Sequence, residues 1–182
     1  MNNLDEIPKA RRPFRTIVGN ACIWIVALAL ATSVGGNVFQ MVVVDPVWSA
    51  SPPASVQYYF GDLSRYEALR RFHVNPVFMF AQVCLVAAVI LHWREGSLRR
   101  WLLAALVMSL VISIGTTLYV YPINDVLMVH AAREVSAASA AELTRHWLVA
   151  DRLRLVLKFA VLVSVFRALQ LSGVPSRART NA

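Results

Sequence analysis

Three long stretches without a charged residue constrain this chain more than any other feature of its sequence. They comprise residues 16–44, 72–93 and 101–124, which are 29, 22 and 24 residues long. A helix needs about 20 apolar residues to cross the ~30 Å hydrocarbon layer of a membrane. A helix also satisfies its own backbone hydrogen bonds, and the alternating pattern of a membrane barrel is absent. Each stretch therefore predicts a membrane-spanning helix.

A fourth span is predicted near the C-terminus, although this segment carries charge. Residues 155–171 are apolar apart from Lys158 and Arg167, and long basic side chains can reach along a helix to polar groups. Upstream, Ser139-Ala-Ala-Glu142 has the form of a capping box, which starts a helix. We therefore expect one helix over residues 140–171. At 1.5 Å per residue it is roughly 45 Å long, so its first turns stand outside the membrane.

The sequence thus predicts an all-α protein, an integral membrane four-helix bundle with short extramembrane helices in its outer loops. The N-terminal segment comprises residues 1–15, the transmembrane domain 16–172 and the C-terminal tail 173–182, and the helices cover about 16–44, 75–93, 100–121 and 140–171.

The net charge of +8 predicts the orientation of this bundle. One set of helix ends and their flanks carries ten basic and three acidic residues, whereas the other side carries eight basic and seven acidic residues. Lys and Arg accumulate on the cytoplasmic side of membrane proteins. Both termini are therefore expected inside, and the charge gives no reason to expect a nucleic-acid partner. We expect a multi-pass protein of the bacterial plasma membrane, with the lipid bilayer as its partner, and a homo-oligomer stays open.

A cleaved signal peptide is the alternative interpretation of the first apolar stretch. Ala29-Leu30-Ala31 resembles a signal-peptidase site. The apolar stretch continues for 13 residues beyond Ala31, which is typical of a retained membrane anchor. The anchor is therefore favoured.

Metal and redox chemistry find little support in the sequence. His73, His130 and His146 all fall on the predicted outer side, but their spacing is not that of metal ligands. Cys22 and Cys84 form no CxxC motif, which argues against a disulfide oxidoreductase. Phosphate-binding loops, nucleophile elbows and zinc-protease motifs are absent from the sequence. No metal and no cofactor are therefore expected.

Polar side chains are concentrated in the predicted outer halves of the four helices. Such residues in membrane helices usually face the bundle interior and mark function. The set comprises Asn37 and Gln40 of the first helix, His73 and Gln82 near the second, Tyr121, Asn124 and Asp125 of the third, and Trp147, Asp151, Arg154 and Lys158 of the fourth.

The polar residues of the fourth helix share one face. At 100° per residue, the four side chains from Trp147 to Lys158 fall within a stripe about 60° wide. Arg154 and Lys158 are four residues apart and repel each other, so we expect Asp151 and Asp125 as their anionic partners. Two interpretations stay open. The stripe is either a structural ion network that locks the third and fourth helices, or an outward-facing pocket whose cations hold an anion.

Short motifs resemble the DUF1772 family of membrane proteins, which includes fungal anthrone oxygenases. Tyr121-Pro122-Ile123-Asn124-Asp125 resembles a family motif in which Pro-x-Asn precedes an acidic residue. Trp147-x-x-x-Asp151-x-x-Arg154 resembles a second motif, except that Asp151 replaces the usual His or Asn. Gly35-Gly36 and Pro46-x-Trp48 resemble the first-helix region of the family. The resemblance covers roughly residues 17–170.

The resemblance implies a cofactor-independent oxygenase that acts on anthrone-type hydrophobic phenolic compounds. This chemistry needs a base that forms an enolate and cations that stabilise it. Asp151, His146 or His130 could be the base, and Trp147 could stack on an aromatic ring. The expected catalytic residues are Asp151, Arg154, Lys158 and His146, and the expected binding residues are Trp147, Asn124, Asp125, Asn37, Gln40 and Tyr121. The alternative is a non-catalytic membrane protein, either a complex subunit or a small-molecule binder, in which the outer polar cluster is structural.

Overall fold

The computed structural model describes residues 14–173, so the predicted terminal segments lie almost entirely outside the described residues. Within this range the chain is all-α and contains no strand. The α-helices are α1 (Phe14–Phe39), α2 (Asp45–Trp48), α3 (Ala54–Phe60), α4 (Leu63–His73), α5 (Pro76–Leu91), α6 (Gly96–Gly115), α7 (Tyr121–Asn124) and α8 (Ala137–Gly173), and π-helical turns cover Gln40–Val44, Thr116–Val120 and Asp125–Val129.

Four helical segments in the described part of the chain are long and apolar enough to cross a membrane, which confirms the predicted four-helix membrane bundle. We call them spans 1 to 4, and they cover Phe14–Trp48, Leu63–Leu91, Gly96–Val129 and Ala137–Gly173.

Two prolines explain why spans 1 and 3 are longer than their α-helices. Pro46 follows the π-turn Gln40–Val44, and Pro122 follows the π-turn Thr116–Val120. Proline lacks the N–H that an α-helix needs, and its ring clashes with the carbonyl four residues earlier. A wider turn before the proline relieves this clash and lets the helix continue. Span 3 therefore runs to Val129 instead of ending at residue 121.

Side-chain caps begin the two helices of span 2. The Asp62 carboxylate accepts a hydrogen bond from the Ser64 N–H at 3.0 Å and caps α4. The Asn75 side chain accepts from the Val77 N–H at 2.9 Å and caps α5, with Pro76 in its first turn. Both arrangements satisfy N–H groups that have no partner within their own helix.

The cap of α8 differs from the prediction. Ser136 accepts a hydrogen bond from the Ser139 N–H at 3.2 Å, and the helix begins at Ala137. The predicted capping box that began at Ser139 is therefore wrong by three residues. The helix has 37 residues and is about 56 Å long, longer than the ~45 Å thickness of a whole bilayer.

Two close approaches bring the helices together. A Cβ atom on Gly36 would overlap the Phe72 ring of α4, and one on Gly19 would overlap the His92 ring that follows α5. These glycines let side chains of span 2 and its C-terminal cap reach the backbone of α1.

At the predicted inner end, Arg15 donates hydrogen bonds to the Leu91 and Ile90 carbonyls at 2.7 and 2.8 Å. Span 1 is thereby anchored to the C-terminal end of α5.

The interior is divided into two hydrophobic clusters. The inner cluster joins α1, α5, α6 and α8 around Ile23, Leu85 and Leu102. The outer cluster joins α2, α3, span 3 and α8 around Trp48 and Leu127. Helix α8 packs mainly against α6 and α1, and α1 packs against α5, whereas α5 and α6 touch much less. The resulting gap between spans 2 and 3 determines where a cavity forms.

Candidate functional site

A layer of polar side chains lies between the two hydrophobic clusters. We call it the polar layer. Its members come from span 1, from the end of α4 and from α8, and all of them are buried or half-buried. They are Ser33, Asn37, Gln40, Asp45, His73, Asp151, Arg154 and Lys158.

Lys158 is held by span 1. Its Nζ atom donates hydrogen bonds to Asn37 Oδ1 at 2.6 Å and to Ser33 Oγ at 3.0 Å. Within the described residues, no carboxylate oxygen lies within 4.0 Å of this ammonium group. Its contacts are therefore neutral oxygens, and the nearest ion pair belongs to Arg154. A half-buried cation with only neutral partners favours the approach of an anion.

The Asp151 carboxylate is 2% exposed and joins α8 to span 1. Its Oδ1 atom accepts hydrogen bonds from Arg154 Nη2 and, at 3.4 Å, from Asn37 Nδ2. Asn37 thus contacts both Asp151 and Lys158, which stand two turns apart on the same face of α8. Asp151 Oδ2 and Arg154 Nε are buried and have no hydrogen-bond partner among the described residues. The ion pair therefore retains unused hydrogen-bonding capacity.

His73 enters the polar layer from the C-terminal end of α4. Its Nε2 atom lies 2.7 Å from Gln40 Oε1. Since an amide oxygen only accepts hydrogen bonds, Nε2 is the donor. A neutral His73 ring therefore presents Nδ1 as a proton acceptor.

A tryptophan pair closes the outer side of the polar layer. The rings of Trp48 and Trp147 meet edge to face at 5.1 Å. Trp48 Nε1 donates to Asp45 Oδ1 at 3.1 Å, and Trp147 Nε1 donates to Asn124 Oδ1 at 2.5 Å. Both indole N–H groups are thus satisfied, and spans 1, 3 and 4 are joined at this level.

A partly open cavity of about 360 Å³ lies between spans 2 and 3, with spans 1 and 4 as its floor. We call it the inner cavity. One wall of the cavity carries two cations and an imidazole, from Lys158, Arg154 and His73. Below this wall the lining is apolar and includes Val26 and Leu30. This combination of an apolar chamber with a few polar groups is typical of small-molecule sites.

Six of the ten predicted site residues line the inner cavity. They are Arg154, Lys158, Trp147, Asn124, Gln40 and Tyr121. Asn37 and Asp151 do not line it, but they contact Lys158 and Arg154 from behind. The structure therefore brings eight of the predicted residues into one region.

Two predicted site residues lie elsewhere. The Asp125 side chain is 63% exposed and lies 3.9 Å from His130, so it is not the partner of Arg154 or Lys158. The sequence predicted Asp125 as an anionic partner of these cations, but span 3 continues past Pro122 and the Asp125 side chain is exposed. His146 does not line the inner cavity and lies instead in a separate groove between spans 3 and 4.

Three further members of the polar layer were not among the predicted site residues. His73 was grouped with the outer polar residues, but it belongs to another segment and showed no motif with Lys158. Asp45 comes directly after an uncharged stretch, although it is only 3% exposed. Ser33 lies one helical turn before Asn37 within that stretch. Among the described residues, no group of three His, Cys, Asp or Glu side chains is placed to hold a metal ion.

Comparison of the chain with protein-family models, with curated proteins and with solved structures finds no match. The chemistry of the site therefore rests on its own geometry. What that geometry establishes is an integral membrane four-helix bundle with a cavity beside a buried cationic cluster.

Proposed function

We propose that the inner cavity binds a hydrophobic phenol or a similar weak acid, and that the chain oxygenates this compound without a metal or flavin. One observation carries the proposal. The Lys158 ammonium faces the cavity with neutral oxygens as its partners, beside Arg154 and above an apolar chamber. Such a site suits an apolar ring system that carries one negative oxygen. The resemblance of two motifs to the anthrone oxygenases supports the choice of reaction.

The reaction consumes one anthrone and one O₂ and yields one anthraquinone and one water. A base removes a proton from the ring methylene group and leaves an enolate. The enolate carbon transfers electrons to O₂ and bonds to it, and loss of water from the resulting peroxide leaves the second ketone. Lys158 and Arg154 stabilise the enolate oxygen, because its charge is fully developed only after proton removal.

His73 is the base in this proposal. It lines the inner cavity, and its Nδ1 atom, which has no hydrogen-bond partner among the described residues, can accept a proton while Nε2 donates to Gln40. The bases expected from the sequence are less well placed. Asp151 lies behind the cavity wall, and His146 lies in the other groove. His130 is exposed, and its Nδ1 atom lies 2.9 Å from the Asp125 carbonyl oxygen.

A non-catalytic role is the second candidate, and the hydrogen bonds around Asn37 favour it. Asn37 joins Asp151 and Lys158 of α8 to span 1. In that case the polar layer holds helices together, and its loss affects stability alone.

Oxygen uptake by the purified protein with 1,8-dihydroxyanthrone tests the proposal. We expect uptake above a buffer control, and a loss of about 100-fold in Lys158→Met, because the enolate loses its main counter-charge. His73→Gln is expected to lose about 100-fold as well, since general-base catalysis typically contributes this much.

Arg152→Gln is the matched control, because Arg152 is an exposed cation on the same helix. It is expected to retain wild-type uptake. Uptake no faster than in buffer would count against the oxygenase. A Lys158→Met protein that unfolds more easily but still binds the anthrone would support the non-catalytic role instead.

A further inference from the structure

A second depression lies on the bilayer side of the bundle, between spans 3 and 4. We call it the bilayer groove. It has a volume of about 610 Å³, and its walls are mostly apolar side chains such as Val111, Val149 and Leu153. Its outer end carries Arg145 and His146. From Arg145 to Leu157 it follows α8 for about 18 Å, which is roughly the length of half a bilayer's hydrocarbon layer.

The bilayer groove and the inner cavity share a wall. Ile112, Thr116 and Arg154 line both spaces. Arg154 is fixed to Asp151 through Nη2, whereas its Nε atom has no partner among the described residues. These three residues therefore lie between the bilayer groove and the inner cavity, and one of them belongs to the polar layer.

The backbone of span 3 changes from an α-helix to a π-turn beside this wall. The α-helix α6 ends at Gly115, and the π-turn begins at Thr116. Gly115 contributes no side chain to the groove that it lines, and a Cβ atom placed on it would meet no atom within 4 Å. The groove is therefore open at the level of the wall. π-Turns of this kind often mark places where a helix adapts to a ligand.

We propose that the bilayer groove is the entrance by which a hydrophobic weak acid leaves the membrane and reaches the inner cavity, passing between Arg154 and Thr116. The chemistry of the proposed ligand follows from the residues at the two ends of this route. The groove is apolar along its length and basic at its outer end, and the path ends at Arg154 and Lys158. This inference rests on the proposed function, because it takes the inner cavity as the binding site.

Exchange of 1,8-dihydroxyanthraquinone between vesicles and the membrane-embedded protein tests the entrance. This coloured phenol is expected to quench tryptophan fluorescence when it binds beside Trp147, so stopped-flow fluorescence follows its arrival. Gly115→Leu fills the groove, and we expect association and dissociation to slow about tenfold while Kd stays within about twofold. Gly35→Leu is the matched control, because Gly35 is an exposed helical glycine that also has no neighbour within 4 Å and lines neither space.

A second pair of variants tests the entrance independently, in case Gly115→Leu does not fold. Val149 and Val156 are both exposed on α8, but only Val149 lines the bilayer groove. Val149→Phe is expected to slow exchange, and Val156→Phe is not. Wild-type exchange rates in both groove variants would overturn the entrance and leave the proposed function intact. No binding to the wild-type protein would overturn both.

Discussion

At the scale of single residues, the Asp151–Arg154 pair is an ion pair whose carboxylate is buried inside the bundle. Asp151 is almost fully buried, and Arg154 is its only cationic partner within 4.0 Å among the described residues. Removing one member of a buried pair leaves the other charge without compensation. The pair should therefore be sensitive to a change that keeps its shape and removes its charge.

We predict that Asp151→Asn lowers the free energy of unfolding by about 3 kcal/mol. Unfolding by SDS in detergent micelles, followed by circular dichroism, measures this change. Asp125→Asn is the matched control, because Asp125 is largely exposed. It should change stability by less than about 0.5 kcal/mol. If both variants lose the same free energy of unfolding, the burial of Asp151 does not make its charge more important for stability, and the prediction is wrong.

Residue identity alone could not reveal the partners of Lys158. The sequence predicted correctly that Trp147, Asp151, Arg154 and Lys158 face inward together. It suggested Asp125 as the anion, because charge and depth were the available criteria. The actual partner Asn37 lies 121 residues away and is neutral. A pairing between distant helices depends on how they pack, and no periodicity within one helix encodes it.

At the scale of helices, neighbouring glycines have different roles. Gly36 faces the Phe72 ring of α4, whereas Gly35 faces open space. Small residues in a membrane helix allow a neighbour to approach closely, and of these two glycines Gly36 has that role and Gly35 does not. The two residues therefore form a natural comparison within one helix turn.

We predict that Gly36→Ala lowers the free energy of unfolding by about 1–2 kcal/mol, because the new Cβ atom displaces the Phe72 ring. Gly35→Ala should be neutral or stabilising by up to about 1 kcal/mol, since alanine favours a helix. Unfolding in detergent micelles measures both. Adding Phe72→Leu should restore stability to Gly36→Ala. If the double variant is no more stable than the single one, the ring contact is not the cause.

The composition of the sequence was enough to predict that the four spans exist. It was not enough to predict where the helices end, because the ends depend on local backbone geometry. Long uncharged stretches predicted the spans because the membrane leaves few alternatives. Pro122 looked like the end of span 3, but a π-turn accommodates it. Several nearby serines could cap α8, and Ser136 rather than Ser139 does so. Such choices differ by small energies that tertiary packing can reverse.

At the scale of the whole molecule, the distribution of charge predicts both termini inside. This orientation rests on the positions of the Lys and Arg residues. Ser97 lies exposed in the first turn of α6, at the start of span 3, and Ser51 lies exposed between spans 1 and 2. These two positions should therefore face opposite sides of the membrane.

We predict that a membrane-impermeant maleimide labels Ser51→Cys in intact cells and does not label Ser97→Cys. Both variants are made in a chain whose native cysteines are replaced, Cys22→Ala and Cys84→Ala. Permeabilised cells provide the control, because both positions should then react. Labelling of position 97 alone in intact cells would reverse the topology.

The polar layer also determines how far span 4 can slide along span 1. Apolar helices in lipid gain nearly the same contacts after a shift of one turn, because the bilayer provides no hydrophobic force between them. A shift of one turn, about 5.4 Å, towards the inner end would move Lys158 away from Asn37 and bring it towards the apolar residues Ala29 and Leu30. A single buried polar contact can select one alignment among several. Lys158 therefore sets the register of span 4 against span 1, and this role does not depend on which ligand the cavity binds.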